Sequence, residues 1–186
     1  MRNDDSVLPG GWRFVDKSAI YLPGKKKRLF LHFTPVTQPA LLALQGSMRS
    51  VLPDIEIVQG LTIVPGKVSF DPIRRQYDAT YLIREIPSPS DRSLSLWIVS
   101  EELFAPGKRY IFGAAGESRA LASLFMLDSI SALCGVAVHE VCHMLGLSHC
   151  SHPCSMRPAR TPEEAESRPL SLCGLCRTAL ERTSPI

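Results

Sequence analysis

The sequence predicts an α/β (α+β) fold built on a mixed β-sheet, and three observations lead there. The chain has 186 residues, enough to bury a real core in one domain, and 45% of them are hydrophobic, as in ordinary globular proteins. Its apolar segments switch between the two-residue period of strands and the 3.6-residue period of helices in an irregular order. No internal repeat or low-complexity tract breaks that order.

Taken in turn, residues 1–27 are rich in Pro, Gly and charge and read as an N-terminal extension, with 28–186 as a single domain whose Cys-rich part is 150–186. "RLFLHFTPV" (28–36) reads as a strand and "QPALLALQGSMRSVL" (38–52) as a helix, with a proline near its start and Gly46 as a local weakness. "DIEIVQGLTIV" (54–64) alternates as a second strand. "RRQYDATYLIREI" (74–86) reads as helical because Tyr77, Tyr81 and Leu82 recur at helical spacing, and "PSPSD" (87–91) closes it. "SLSLWIVS" (93–100), "RYIFGAAG" (109–116) and "ALASLFML" (120–127) are three more strand candidates before a helix over 129–145. Thr161, Pro162, Glu163 and Glu164 form a helix start, and a last helical segment covers 171–182.

Charge excludes some functions. The 21 basic and 18 acidic residues leave a net charge of +3, too small and too dispersed to mark a nucleic-acid or anionic-lipid binder, and "KKKR" (25–28) reads as a solvated turn. No segment has signal-peptide or membrane-spanning character, so the expected location is cytoplasmic and the expected state a monomer. In a reducing compartment, six closely spaced cysteines point to metal ligation before disulfides.

The chemistry concentrates in "VHEVCHMLGLSHCSHPCSM" (138–156). On the helix over 129–145, Ile130, Cys134, Ala137, Val138, Val141 and Leu145 share an apolar arc that belongs to the core. His139 and His143 share the opposite face, where Ala132 and Val136 could floor a cleft. Imidazoles one turn apart can converge on one ion, with Glu140 leaning over an adjacent water. Gly146 can end the helix with positive φ and turn the chain back, so that His149 reaches a third ligand position. The result, H-E-x-x-H-x-x-G-x-x-H, is similar to the long zinc signature of metzincin proteases.

Cys150, Cys154, Cys173 and Cys176 form two close pairs and match the ligand count of a closed structural zinc site. A redox C-x-x-C would need only Cys173 and Cys176 and would leave the first pair unexplained. Cys134 and Cys142 read as buried thiols and His32 as structural. His152 reads as a loop histidine that could compete for either metal.

With Met156 two residues after Cys154, the whole pattern resembles that of the archaemetzincins, a zinc-peptidase family within the metzincins. The likeness extends upstream through "RRQYDATYLI" and "YIFGAAGESRALASLFML" to cover about residues 29–180. It implies a metzincin-like zincin fold: a twisted mixed sheet over an active-site helix, a Cys-rich zinc-bound C-terminal subdomain, and Met156 as an apolar floor, the Met-turn. Cys150 to Cys154 and Met156 to Cys173 are each one residue closer than in the family pattern. Two zinc ions per chain are expected, one catalytic and one structural, and the expected partner is a peptide or protein substrate. Three neutral histidines would leave an open position for water, with Glu140 as general base. An extended substrate would add to an edge strand drawn from 112–116 or 120–125. Arg157 could act as a second electrophile. The alternative function is a zinc-stabilised peptide-binding or adaptor module with little turnover.

Overall fold

The computed structural model describes residues 27–87 and 93–183. The expected N-terminal extension, apart from Lys27, and residues 88–91 of "PSPSD" lie outside these. Lys27 itself opens the first strand. In chain order the elements are β1 (Lys27–Phe33), a 3-10 turn (Gln38–Ala40) leading into α1 (Leu41–Val51), β2 (Ile55–Thr62), a second 3-10 turn (Lys67–Ser69), β3 (Phe70–Asp71), β4 (Gln76–Asp78), α2 (Ala79–Glu85), β5 (Leu94–Val99), β6 (Leu103–Phe104), β7 (Gly113–Ala115), β8 (Arg119–Ser123), α3 (Ile130–Met144), α4 (Pro162–Glu166) and α5 (Gly174–Thr183).

The main sheet runs β2-β1-β5-β8-β7, with the first four strands parallel and β7 antiparallel to β8 at one edge. Alternation within the strands divides the core. Leu29, Leu31, Phe33, Leu94, Leu96, Ile98, Ala120 and Ala122 face α1 and α3, while Trp97, Val99 and Leu121 turn to α2 and meet Leu82, Ile83 and Ile86. All six residues of β5 are buried, as a central parallel strand covered on both faces requires. A second, small sheet, β3-β4-β6, carries the chain around α2. His32 is buried, its Nδ1 accepting from Leu61 N at 3.0 Å, which is a structural role. Among the described residues no helix is long and apolar enough to cross a membrane.

The segment 74–86 is not one helix. Asp78 caps it from within, its Oδ1 accepting from Thr80 N at 2.8 Å, so the helix starts at Ala79. Upstream, Arg75 at φ 56° turns the chain, and Gln76 Nε2 donates to Glu102 Oε1 and Arg109 O, drawing β4 beside β6. Those same carbonyl contacts shorten the strand expected over 109–116. The Lys108 and Arg109 carbonyls are held by Arg74 and Gln76 side chains, Ile111 makes one isolated bridge to Leu103, and only 113–115 pair as a strand. The strand expected over 120–127 ends at Ser123, whose Oγ donates to Glu101 O and accepts from Phe125 N; Met126, at φ 63°, completes a turn. The last helix begins at Gly174, three residues later than expected.

α3 is buried almost all round. Ile130, placed on the core arc by its periodicity, is 42% exposed, whereas Ala132 and Val136, expected on a cleft floor, are inside. A helix apolar on every face packs on every side, and this one lies between α1 and the β7/β8 edge. Its start is fixed twice: Ser129 Oγ accepts from Ala132 N, and Glu166 of α4 accepts from Asp128 N, Ser129 N and Ser129 Oγ at 2.7, 3.1 and 2.6 Å. Anchoring the front of α3 in this way sets where its last turn, with the histidines, points.

Candidate metal centres

His139 and His143 stand one turn apart near the end of α3. Gly146, at φ 93°, then reverses the chain, with Leu147 N closing back on Cys142 O at 3.0 Å. That turn delivers His149, and the candidate ligand atoms of the three histidines lie within 4.8 Å of one another. His139 is buried, His143 half-buried and His149 exposed.

Each helical imidazole is oriented by a backbone carbonyl. His139 Nδ1 lies 2.7 Å from Ser155 O and His143 Nδ1 2.8 Å from Leu147 O. A carbonyl only accepts, so both Nδ1 atoms carry the proton and both Nε2 atoms present lone pairs. Those two Nε2 atoms are 3.0 Å apart. Two acceptors at that distance repel unless a cation lies between them; a tetrahedral ion with bonds of about 2.0–2.1 Å would set such nitrogens roughly 3.3 Å apart. The donor set fits zinc. Burial lowers the pKa of His139 to about 2 and that of His143 to about 4, and it lowers His149 as well. All three rings are therefore neutral, the form that ligates, across the physiological range.

Glu140 is buried, and burial raises its pKa to about 8, opposed by the charge of Arg168. Its carboxylate lies directly under the edge strand. A Cβ built on Gly113 of β7 would stand 2.7 Å from Glu140 Cγ, from Glu140 Oε1 and from Leu121 O. Only glycine leaves the carboxylate this room.

The four-cysteine cluster lies immediately beyond. Cys150 Sγ is 3.8 Å from Cys173 Sγ, and Cys154 Sγ is 3.8 Å from Cys176 Sγ. A disulfide needs about 2.05 Å, whereas four sulfurs at about 2.3 Å from one tetrahedral zinc are separated by about 3.8 Å. Burial pushes the Cys150 and Cys176 thiols up, and the neighbouring thiols push Cys176 further. Cys173 falls to about 7, chiefly through the Cys176 backbone N–H donated to its sulfur. His152 is exposed, with Nδ1 3.5 Å from Cys150 Sγ, at the margin of the cluster. Cys134 and Cys142 are both buried and outside the ligand set, and burial, with a smaller push from neighbouring Cys154, raises Cys142 to about 12.

The two clusters share a wall. Met156 is fully buried; its carbonyl accepts from Cys150 N at 2.9 Å and its N–H points to Cys154 Sγ at 3.3 Å. Ser155, whose carbonyl orients His139, places Oγ 3.0 Å from both Pro169 O and Ser171 O, which share its single proton. Sequence reasoning passed over Ser155 and Leu147, which act through carbonyls and so leave no side-chain signal. It also missed Arg168, and Gly113, whose only sign is its place in the small-residue run "GAAG". Arg157 is exposed. Among the described residues β7 is the sheet edge beside Glu140, while β8 is paired on both sides, so of the two edge-strand candidates only 112–116 presents an edge unpaired by any described strand.

The profile of peptidase family M54 matches residues 94–182. An archaemetzincin of Archaeoglobus fulgidus is 33% identical over 111 residues, covering 55% of this chain and 68% of that sequence. The crystal structure of that organism's archaemetzincin, complexed with malonate, superposes with a TM-score of 0.74 at 25% identity, over 81% of this chain and 98% of the other. The archaemetzincin of Methanopyrus kandleri has the same fold, with a TM-score of 0.75 at 22% identity over 88% and 98% of the two chains.

Proposed function

This chain belongs to the archaemetzincins, a family of zinc metallopeptidases, and from that premise we propose that it hydrolyses peptide bonds with Glu140 as general base. His139, His143 and His149 hold a catalytic zinc, and Cys150, Cys154, Cys173 and Cys176 hold a second, structural zinc that steadies the loop carrying His149. The observation that carries this reading is the pair of unprotonated Nε2 atoms facing each other at 3.0 Å, an arrangement that needs a cation.

When bound, zinc supplies Lewis acidity and lowers the pKa of water to about 7. The chain's own residues do the rest. Ser155 O and Leu147 O fix the tautomer and direction of two ligands. Glu140 takes the proton of the attacking water and hands it to the leaving amine. Burial alone would keep this carboxyl protonated at neutral pH; Arg168 and a divalent cation among the histidines both favour its ionised form. The free edge of β7 offers its backbone to an extended substrate, bringing a peptide across the Glu140 carboxylate. Met156 packs as the apolar floor between the clusters. A cytoplasmic location suits four thiols that must stay reduced, and fractionation of cells tests it.

The test is cleavage of a diverse peptide library by zinc-loaded protein beside Glu140→Ala. Turnover that disappears in the variant is expected. Selective peptide capture without turnover, equal in both proteins, would favour the adaptor reading instead.

A further inference from the structure

Beside the four sulfurs stands a fifth donor, His152, that belongs to neither ligand set. The cysteine cluster has an inner and an outer half: Cys154 and Cys176 are buried, whereas Cys150 and Cys173, 3.8 Å apart at their sulfurs, are half-buried. His152 stands on the outer half. Its Nδ1 lies 3.5 Å from Cys150 Sγ, and Ser151, His152 and Pro153 are all exposed.

That distance suits a ring N–H donated to sulfur, and it equally suits two ligands of one ion. Bonds of about 2.0–2.1 Å to nitrogen and 2.3 Å to sulfur around a tetrahedral zinc set the two ligand atoms roughly 3.6 Å apart. The turn is built to keep the ring there, because His152 N donates to Cys150 Sγ at 3.4 Å and Cys150 N donates to Met156 O at 2.9 Å. With a backbone N–H already on the Cys150 sulfur, the imidazole is not needed to satisfy it. A zinc enclosed by four ligands trades them by taking on a fifth before it loses one. A donor held at the exposed side therefore governs how fast the ion enters and leaves.

We propose that Cys150, Cys173 and His152 Nδ1 form an entry site for a divalent metal ion on the outer half of the cysteine cluster, with His152 as the exchange ligand. The proposal rests on the structural-zinc reading and adds how that zinc is loaded and withdrawn. His152 and the two outer thiolates catch the incoming ion, and Cys154 and Cys176 then displace the imidazole as the ion settles inward. Withdrawal runs through the same steps in reverse. One divalent ion replaces another and every sulfur stays a thiolate, so the exchange needs no oxidant or reductant.

The test mixes the zinc-loaded full chain with excess cadmium, a softer ion that thiolates prefer, and follows the cadmium-thiolate absorption, which three histidines do not produce. Competition with a strong chelator, read by native mass spectrometry, gives the affinity of the zinc that survives mild chelation. Three variants divide the roles of the ring: His152→Ala removes it, His152→Asn keeps an N–H donor near the place of Nδ1 without a strong ligand, and His152→Cys restores a ligand. Displacement should slow about tenfold in His152→Ala and His152→Asn and recover in His152→Cys, with zinc affinity within about twofold of the wild type throughout, because a ligand used only in passing lowers the barrier equally in both directions. An unchanged displacement rate in His152→Ala overturns the proposal. So does an affinity that falls about 10–100-fold in His152→Ala and is kept in His152→Asn, which would assign the ring to a hydrogen bond on the Cys150 sulfur. Both of these outcomes leave the structural-zinc reading intact, whereas a wild type that gives no cadmium-thiolate absorption overturns that reading and the proposal together.

Discussion

The three-histidine and four-cysteine clusters lie side by side, joined through Met156 and the adjacent His149 and Cys150, but they are prepared for a metal in opposite ways. The histidines have already shed their protons, two of them are locked by carbonyls, and the third stands at an exposed edge. The cysteines hold two buried thiols, Cys154 and Cys176, inside two half-buried ones, with burial keeping Cys150 and Cys176 protonated until something displaces the protons. Preorganised neutral ligands with an open side suit an ion that must exchange water and substrate. Thiols that lose protons to an enclosed ion suit one that stays and holds the chain together.

The largest effect should separate the clusters by stability. Cys154→Ser or Cys176→Ser removes a buried ligand, and thermal unfolding is expected to fall by about 10 °C or more, whereas His143→Ala should cost only a few degrees. Equal losses would erase the division between a structural and a catalytic centre. Next comes Glu140→Ala: kcat should drop by about 10²–10⁴-fold with the zinc content unchanged, as measured by elemental analysis alongside turnover.

A smaller change sharpens the geometry on the histidine side. In Gly113→Ala the new methyl would stand 2.7 Å from Glu140 Cγ and Oε1, and from Leu121 O, so either the carboxylate or the edge strand must move. We expect a fall in kcat of about 10–100-fold with both metal contents retained. Full activity in this variant would show that the contact does not position Glu140.

The smallest effect is in proton counts. With pKa values of about 2 and 4, His139 and His143 are unprotonated from pH 6 to 8, so zinc displaces no proton from them and affinity there should be level with pH. Cys150 and Cys176 lie above the ordinary thiol range and Cys173 near 7, so zinc uptake should release about two to three protons from these three thiols at pH 7 and strengthen as pH rises. Zinc titrations in buffers of different ionisation enthalpy measure both numbers.

The contrast between the clusters also explains what the sequence made legible. Ligand side chains cluster visibly in 139–176 because spacing on a helix and across a glycine turn is local, and the structure does bring both sets together. The elements around them were read less well wherever distant groups decide the outcome. Asp78 starts α2 five residues after the periodic segment begins, and the 108–109 carbonyls are captured by Arg74 and Gln76, more than thirty positions away. Ile130 had the right periodicity for the core and still faces solvent, because burial depends on what packs over the first turn of α3. Gly113 and Arg168 belong to the site through three-dimensional proximity alone.

The most direct measurement is native mass spectrometry of the purified protein before and after mild chelation, with peptide cleavage followed on the same samples. Two zinc ions per chain are expected at first and one after chelation, with activity lost along with the first ion and restored when zinc is added back. A single zinc throughout, or cleavage that persists after the chelatable ion has gone, would contradict a division of labour between the histidine and cysteine centres.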